Sequence, residues 1–128
     1  MIKGLGIDVV EVSRIEGAMK NPRFARRILT DRECDRPLTP AYVAGRWAAK
    51  EAVAKAVGLG LRWQDIEILS AADGKPRVWF IGPIQIDDKT VLAPSALFRA
   101  EEISEQIQLS ISHERGIAAA VAIWEELP

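Results

Sequence analysis

Thr39-Pro40-Ala41-Tyr42-Val43-Ala44-Gly45-Arg46-Trp47-Ala48-Ala49-Lys50-Glu51-Ala52-Val53-Ala54-Lys55-Ala56-Val57-Gly58 is the stretch on which the fold turns. Threonine followed by proline makes a helix start: the hydroxyl can accept an orphan amide, and proline brings no amide of its own to satisfy. Gly58 is a good terminator, so the pattern predicts one long helix from Pro40 to Val57. Its many alanines permit close packing against a sheet. At about 3.6 residues per turn, Glu51 shares a side with Ala44, Trp47, Ala48 and Lys55. Lys50 and Lys55 lie on different sides, and Arg46 stands roughly one turn before Lys50.

Upstream, Leu5 to Val9 alternates, with Leu5, Ile7 and Val9 on one face and Gly4, Gly6 and Asp8 on the other. The glycine face leaves room for another backbone or a ligand, and Asp8 projects there with little steric cover. Ser13-Arg14-Ile15-Glu16 has capping-box spacing and predicts a helix from Ser13 to near Asn21-Pro22. A short helical segment is expected from Phe24 to Leu29. Thr30-Asp31-Arg32-Glu33 repeats the capping pattern before Pro37.

Downstream, Gly58-Leu59-Gly60 reads as a flexible loop, and strands Asp65 to Leu69 and Arg77 to Ile81 form a hairpin around Asp73-Gly74. A smaller hairpin is expected from Ile84–Ile86 and Thr90–Leu92 across Asp87-Asp88, then a short helix between Ser95 and Ile103. Ile107 to Ser112 alternates, the turn His113-Glu114-Arg115-Gly116 follows, and Ile117 to Trp124 is long enough for a buried strand. The class is α+β, a long helix packed on a largely antiparallel sheet, in a single domain over residues 1–128.

With 48% hydrophobic and 27% charged residues the composition is that of a globular chain rather than a disordered or membrane-spanning one. The opening MIKGLGIDVV lacks signal-peptide order, so a cytoplasmic location is expected and no membrane association. Cys34 is the single cysteine, which excludes an internal disulfide and a thiolate metal cluster. The net charge of −1 hides a basic run, because Arg14, Lys20, Arg23, Arg26 and Arg27 face only Glu16 between positions 14 and 27. Such a run is either a solvated face or a docking surface for an acidic partner. Nucleic acid is disfavoured: the whole chain is slightly acidic, and only Phe24 is available there for base stacking.

Asp8 and Glu51 are hard oxygen donors that suit magnesium if they face one gap, since this ion takes one or two carboxylates and leaves the rest of its shell to water and phosphates. Zinc is disfavoured with one histidine and one cysteine in the chain. The plainer reading of Glu51 is an i, i+4 surface pair with Lys55. One of Arg46, Lys50 and Lys55 could face phosphate. His113, at a strand-to-turn junction, reads more readily as structural than as functional. There is no Walker-A pattern, and Gly4-Leu5-Gly6 does not extend to a dinucleotide fingerprint.

Taken in order, Gly6-Ile7-Asp8-Val9-Val10-Glu11, Arg23-Phe24-Ala25-Arg26-Arg27-Ile28-Leu29-Thr30 with Glu33, Gly45-Arg46-Trp47-Ala48-Ala49-Lys50-Glu51-Ala52 with Lys55-Ala56 and Gly58, Gly74-Lys75-Pro76, and Ser110-Ile111-Ser112-His113 closely resemble the holo-[acyl-carrier-protein] synthase family. The likeness spans nearly the whole chain. It implies a small 4′-phosphopantetheinyl transferase-like fold that assembles as a homotrimer with active sites shared between subunits. It implies transfer of the phosphopantetheine arm of coenzyme A to a serine of apo acyl carrier protein, with release of 3′,5′-adenosine bisphosphate. By the same likeness Asp8 and Glu51 bind Mg2+, and Lys55 reaches the pyrophosphate or the reacting groups. Arg46, Gly58, Gly60, Pro76 and His113 resemble positions that contact coenzyme A, with His113 near its phosphates. Arg14, Arg23 and Arg27 match a first basic helix that docks the acidic carrier. The segment from Thr30 to Gly45 is shorter than the family's, and that from Pro76 to Ser110 longer. Two rivals stand beside this expectation: an adaptor that binds an acidic protein without turnover, and another magnesium-dependent enzyme of nucleotide pyrophosphates.

Overall fold

The computed structural model describes residues 1–58, 60, 62–81, 84–85, 91–92 and 106–125. In chain order these form β1 (Ile2–Glu11), α1 (Val12–Ala18), α2 (Phe24–Ile28), α3 (Pro40–Val57), a single 3-10 turn (Trp63–Asp65), β2 (Ile66–Ser70), β3 (Pro76–Phe80), β4 (Ile84–Gln85), β5 (Val91–Leu92), β6 (Ile107–Glu114) and β7 (Ile117–Glu125). The class is α+β as expected. The antiparallel strands fall into three sheets: β1-β7-β6, β2-β3 and β4-β5.

Helix α3 has the predicted bounds because both end signals operate. The Thr39 hydroxyl accepts from the Tyr42 amide at 3.2 Å, Pro40 opens the first turn, and Gly58 closes the helix at φ 72°. Thirteen of its eighteen residues are buried, so it runs through the core and not along its surface. It packs across the inner face of the β1-β7-β6 sheet. That contact is built from small side chains: Ala48, Ala52 and Ala56 on the helix, and Ala118, Ala120 and Ala122 on the central strand β7, are all buried.

Strand β1 approaches closest. A Cβ placed on Gly4 would collide with the Ala56 carbonyl oxygen, and one on Gly6 with the Ala52 carbonyl oxygen. The alternation read from the sequence therefore holds, and the glycine face is the packed one. Leu5, Ile7 and Val9 point outward and remain 63%, 63% and 60% exposed.

Three expectations are corrected. Helix α1 starts at Val12, not Ser13, and no side chain caps it. Strand β1 runs directly into it, and the Val12 amide is satisfied by the Gly116 carbonyl at 2.7 Å, so the Ser13 box is not needed. The helix also stops at Ala18, short of Asn21, where Lys20 and Asn21 amides bond back to Gly17 and Ala18 in tight three-residue steps. His113 lies inside β6 opposite Ala118, because the β6–β7 hairpin needs only Arg115 and Gly116, both at positive φ, for its turn. The second capping box does form, with Thr30 N donating to Glu33 Oε1 at 2.8 Å and Glu33 N to Thr30 Oγ1 at 3.3 Å. Of the expected second hairpin, Ile84–Gln85 pairs with Val91–Leu92; its turn at Asp87-Asp88, with Ile86 and Thr90, and the helix expected between Ser95 and Ile103 lie outside the described residues.

Beneath the helical side lies a buried polar cluster. Lys50, wholly buried, donates to Glu33 Oε1 at 2.7 Å, Ile28 O at 2.6 Å and Trp63 O at 2.9 Å. Glu33 also accepts from the Ile68 amide at 2.9 Å, and Thr30 Oγ1 donates to buried Glu67. Burial lowers the Lys50 pKa from its ordinary 10.5, opposed by the charge and hydrogen bond of Glu33. Lys50 is thus a structural cation, not one of the phosphate-facing groups considered from the sequence.

Two outcomes follow from this packing. Gly6→Ala should lower stability by about 1–3 kcal/mol or more, read as a reduced urea midpoint; an unchanged midpoint would show the seam to be looser than described. Lys50→Met should cost about 3–5 kcal/mol by stranding the Glu33 carboxylate, and Lys50→Met combined with Glu33→Gln should recover most of it in the same titration.

Candidate active site

The β1–α3 seam brings Asp8 to the helix. Asp8 sits on the inner face of β1 opposite Ala120, two residues beyond Gly6. Lys55 Nζ bonds its Oδ1 at 3.2 Å and the Ile7 carbonyl at 3.0 Å. The Lys55 side chain is 53% exposed and that of Asp8 17%, so the pair opens to solvent on the lysine side. Glu51 is half-buried, one turn before Lys55 on the same side of α3. The i, i+4 pair considered from the sequence does not form, since Lys55 turns to Asp8 and, among the described residues, Glu51 has no ion-pair partner. A partly buried carboxylate is costly unless a cation is supplied. Two hard oxygen donors of this kind fit magnesium; no group of three or more His, Cys, Asp or Glu occurs among the described residues, so they do not make a closed protein cage.

The expected coenzyme contacts lie elsewhere. His113 Nε2 meets the Ala41 carbonyl at 2.9 Å, and its ring covers Gly45, where an added Cβ would come within 2.8 Å of Nε2. Gly45 is therefore the seat of His113, a role the sequence did not signal. β7 separates β1 from β6, so Asp8 and His113 stand on strands roughly 10 Å apart and do not touch. Arg46 is buried, stacked over Tyr42 with Cζ 4.8 Å from the ring centroid, and its Nε has no hydrogen-bond partner among the described residues. Pro76 lines a cleft of about 980 Å³ between β3 and the free edge of β6, together with Lys75, Arg77 and Ser110. Gly58 and Gly60 are exposed just past the end of α3.

The basic residues are spread over two short helices instead of one. Arg14 belongs to α1, Arg23 caps α2 and Arg27 lies in its last turn; all three are exposed. They are linked by aromatic packing that the sequence did not reveal: Arg14 lies 5.7 Å above the Trp47 ring, Phe24 stacks on Trp47 at 5.8 Å, and Trp47 meets Trp63 at 4.4 Å. Cys34 is partly buried, and its thiol pKa is raised by burial.

A long helix laid on an antiparallel sheet, with an aspartate and a lysine joined across the seam, defines an α+β protein with a partly exposed ion pair between helix and sheet. The family model of the 4′-phosphopantetheinyl transferase superfamily matches residues 4–122. The chain is 42% identical to the holo-[acyl-carrier-protein] synthase of Natranaerobius thermophilus, over 98% of this chain and 100% of that one. It is 43% identical to the synthase of Solidesulfovibrio magneticus, over 98% and 99%. The fold is similar to the crystal structure of the Neisseria meningitidis synthase, with TM-score 0.78, 36% identity and coverage of 98% and 100%. It is also similar to that of the Bacillus anthracis synthase in complex with CoA (3′,5′-ADP), with TM-score 0.73, 33% identity and coverage of 99% of both chains. The chain belongs to the holo-[acyl-carrier-protein] synthase family of enzymes.

Gly45→Ala should push the His113 ring from the helix with little change in secondary structure. The His113 ring-proton shifts in an NMR spectrum check this; unchanged shifts would mean the ring is not seated on Gly45.

Proposed function

We propose that this single-domain enzyme transfers the 4′-phosphopantetheine arm of coenzyme A to a serine hydroxyl of apo acyl carrier protein. The observation that carries this reading is the Asp8–Lys55 pair across the β1–α3 seam, with Glu51 one turn earlier on the same side of α3 and without an ion-pair partner among the described residues, in a chain of this family. In the reaction the serine hydroxyl oxygen attacks the pantetheine-side phosphorus of the pyrophosphate and gives up its proton to Glu51 or to water. The bond from that phosphorus to the bridging oxygen breaks, and 3′,5′-adenosine bisphosphate leaves. Asp8 and Glu51 are the groups that would hold Mg2+, which when bound neutralises pyrophosphate charge. Lys55, already tethered to Asp8 and solvent-accessible, offers a preorganised ammonium to the same charge. Chemistry of this kind rests on positioning and charge stabilisation, so no nucleophilic side chain of the enzyme is required.

Three further features support the assembly and the partners. Arg46 has a buried Nε that, among the described residues, no acceptor meets and that suits an anion, and the Pro76 cleft and His113 lie on the β6 side of the sheet, away from Asp8. A coenzyme site divided in this way suits sharing between subunits of a homotrimer. The exposed apolar row of Leu5, Ile7 and Val9 offers a surface for that contact. Arg14, Arg23 and Arg27 form the positive surface for an acidic carrier. A cytoplasmic setting accords with these partners; no helix among the described residues is long and apolar enough to cross a membrane.

Incubated with apo carrier protein, coenzyme A and Mg2+, the chain should add the prosthetic arm to the carrier, detected as a mass increase. A pure adaptor would leave the mass unchanged, and a pyrophosphate hydrolase would release nucleotide without carrier. Glu51→Gln should cut turnover roughly 100-fold or more while the melting temperature stays near that of the native chain. Full activity in that variant would remove Glu51 from the site.

A further inference from the structure

Gln64 takes no part in the candidate catalytic site. It lies exposed in the 3-10 turn Trp63–Asp65, yet its side-chain nitrogen donates to three carbonyls at the end of α2: Arg26 O at 2.8 Å, Arg27 O at 3.1 Å and Leu29 O at 2.8 Å. With two hydrogens on the amide, these bonds are shared. The remaining carbonyl of the run, Ile28 O, receives Lys50 Nζ. Every carbonyl from residue 26 to 29 is thereby met by a side chain from outside α2.

Five residues are far too few for a self-supporting helix, and the carbonyls of a last turn have no partner within it. The two side chains supply what α2 lacks. The same Lys50 also holds the Trp63 carbonyl, and Glu51 follows it directly in α3. One clamp thus joins the helix that carries Arg27, the turn that carries Gln64, and the helix that carries Glu51 and Lys55.

We infer that Gln64, backed by Lys50, is a positioning residue for carrier docking: it holds α2 so that Arg23 and Arg27 present a preformed basic surface at a set distance from Asp8, Glu51 and Lys55. The inference rests on the reading that these arginines receive the carrier. A preformed surface spares the ordering cost of binding, so loosening it weakens carrier capture and leaves coenzyme binding alone. Gln64 is the member to vary, since removing Lys50 strands Glu33.

The test measures KM for carrier and for coenzyme A separately in Gln64→Ala, Gln64→Glu, Gln64→Lys and Arg27→Glu, with amide hydrogen exchange across residues 24–29. Gln64→Ala should raise the carrier KM about ten-fold, the loss expected for one or two net hydrogen bonds, with the coenzyme KM within about two-fold. Gln64→Glu should be worse, because a carboxylate cannot donate and opposes the negative end of α2. Gln64→Lys restores a cationic donor and should recover most of the affinity. Exchange of the α2 amides should quicken in the alanine and glutamate variants only. If Arg27→Glu raises the carrier KM and Gln64→Ala does not, the clamp is refuted and the docking surface stands. If neither changes it, the docking reading fails and takes the clamp with it. Equal losses for both substrates, no rescue by lysine, or a Gln64→Ala chain that does not fold would each overturn the inference, since the clamp positions a surface and does not hold the core.

Discussion

The contact on which the rest of the structure depends is the backbone-to-backbone approach of β1 to α3. Gly4 and Gly6 lie against the Ala56 and Ala52 carbonyls with no room for a Cβ, and the buried alanines of β7 extend the same close packing across the sheet. This closeness lets Lys55 reach across to Asp8 and the Ile7 carbonyl. Because small residues occupy the inner face, the larger Leu5, Ile7 and Val9 are turned outward, and the sheet keeps an apolar outer surface. Interior packing and the exposed apolar surface are two sides of one alternation in β1.

On the other side of α3 the core is held by charge and hydrogen bonds as well as apolar contact. Lys50 and Glu33 are both wholly buried, each with several partners, and Thr30 connects Glu33 to Glu67. A buried ion pair of this kind adds little net stability compared with an apolar filling, but either partner left alone would be costly. What it confers here is a defined arrangement: the turn at Thr30–Glu33, the end of α2, the Trp63 turn and strand β2 all converge on two side chains. The aromatic contacts of Phe24, Trp47 and Trp63 extend that arrangement to Arg14 on the surface. Basic groups on two short helices, neither long enough to stand alone, are in this way referred to one rigid frame.

Adjacent positions of α3 therefore serve opposite ends. Lys50 is wholly buried and spent on structure, whereas Glu51 is half-buried and Lys55 reaches across the seam to Asp8. The difference arises from helical rotation of about 100° per residue, which turns neighbouring side chains to different environments.

Local chemistry made much of this legible in advance. Thr39-Pro40 and Gly58 bounded α3 because caps act through neighbouring residues alone, and the Thr30–Glu33 box and the hairpin at Asp73-Gly74 were readable on the same grounds. Motif order along the chain was enough to point to the family. Other features depended on distant partners. The Ser13 box went unused because Gly116, a hundred residues away in sequence, satisfied the Val12 amide. His113 stayed in its strand because the turn needed only Arg115 and Gly116. Lys50 was one of three cations that could have faced phosphate, and only the approach of Glu33, Ile28 and Trp63 made it a buried structural cation while its neighbour Glu51 stayed half-buried. The sequence by itself determined where helices and strands begin, end and alternate, since those preferences lie within a few residues; the tertiary structure decided which charges meet, because pairing across the fold is settled by packing.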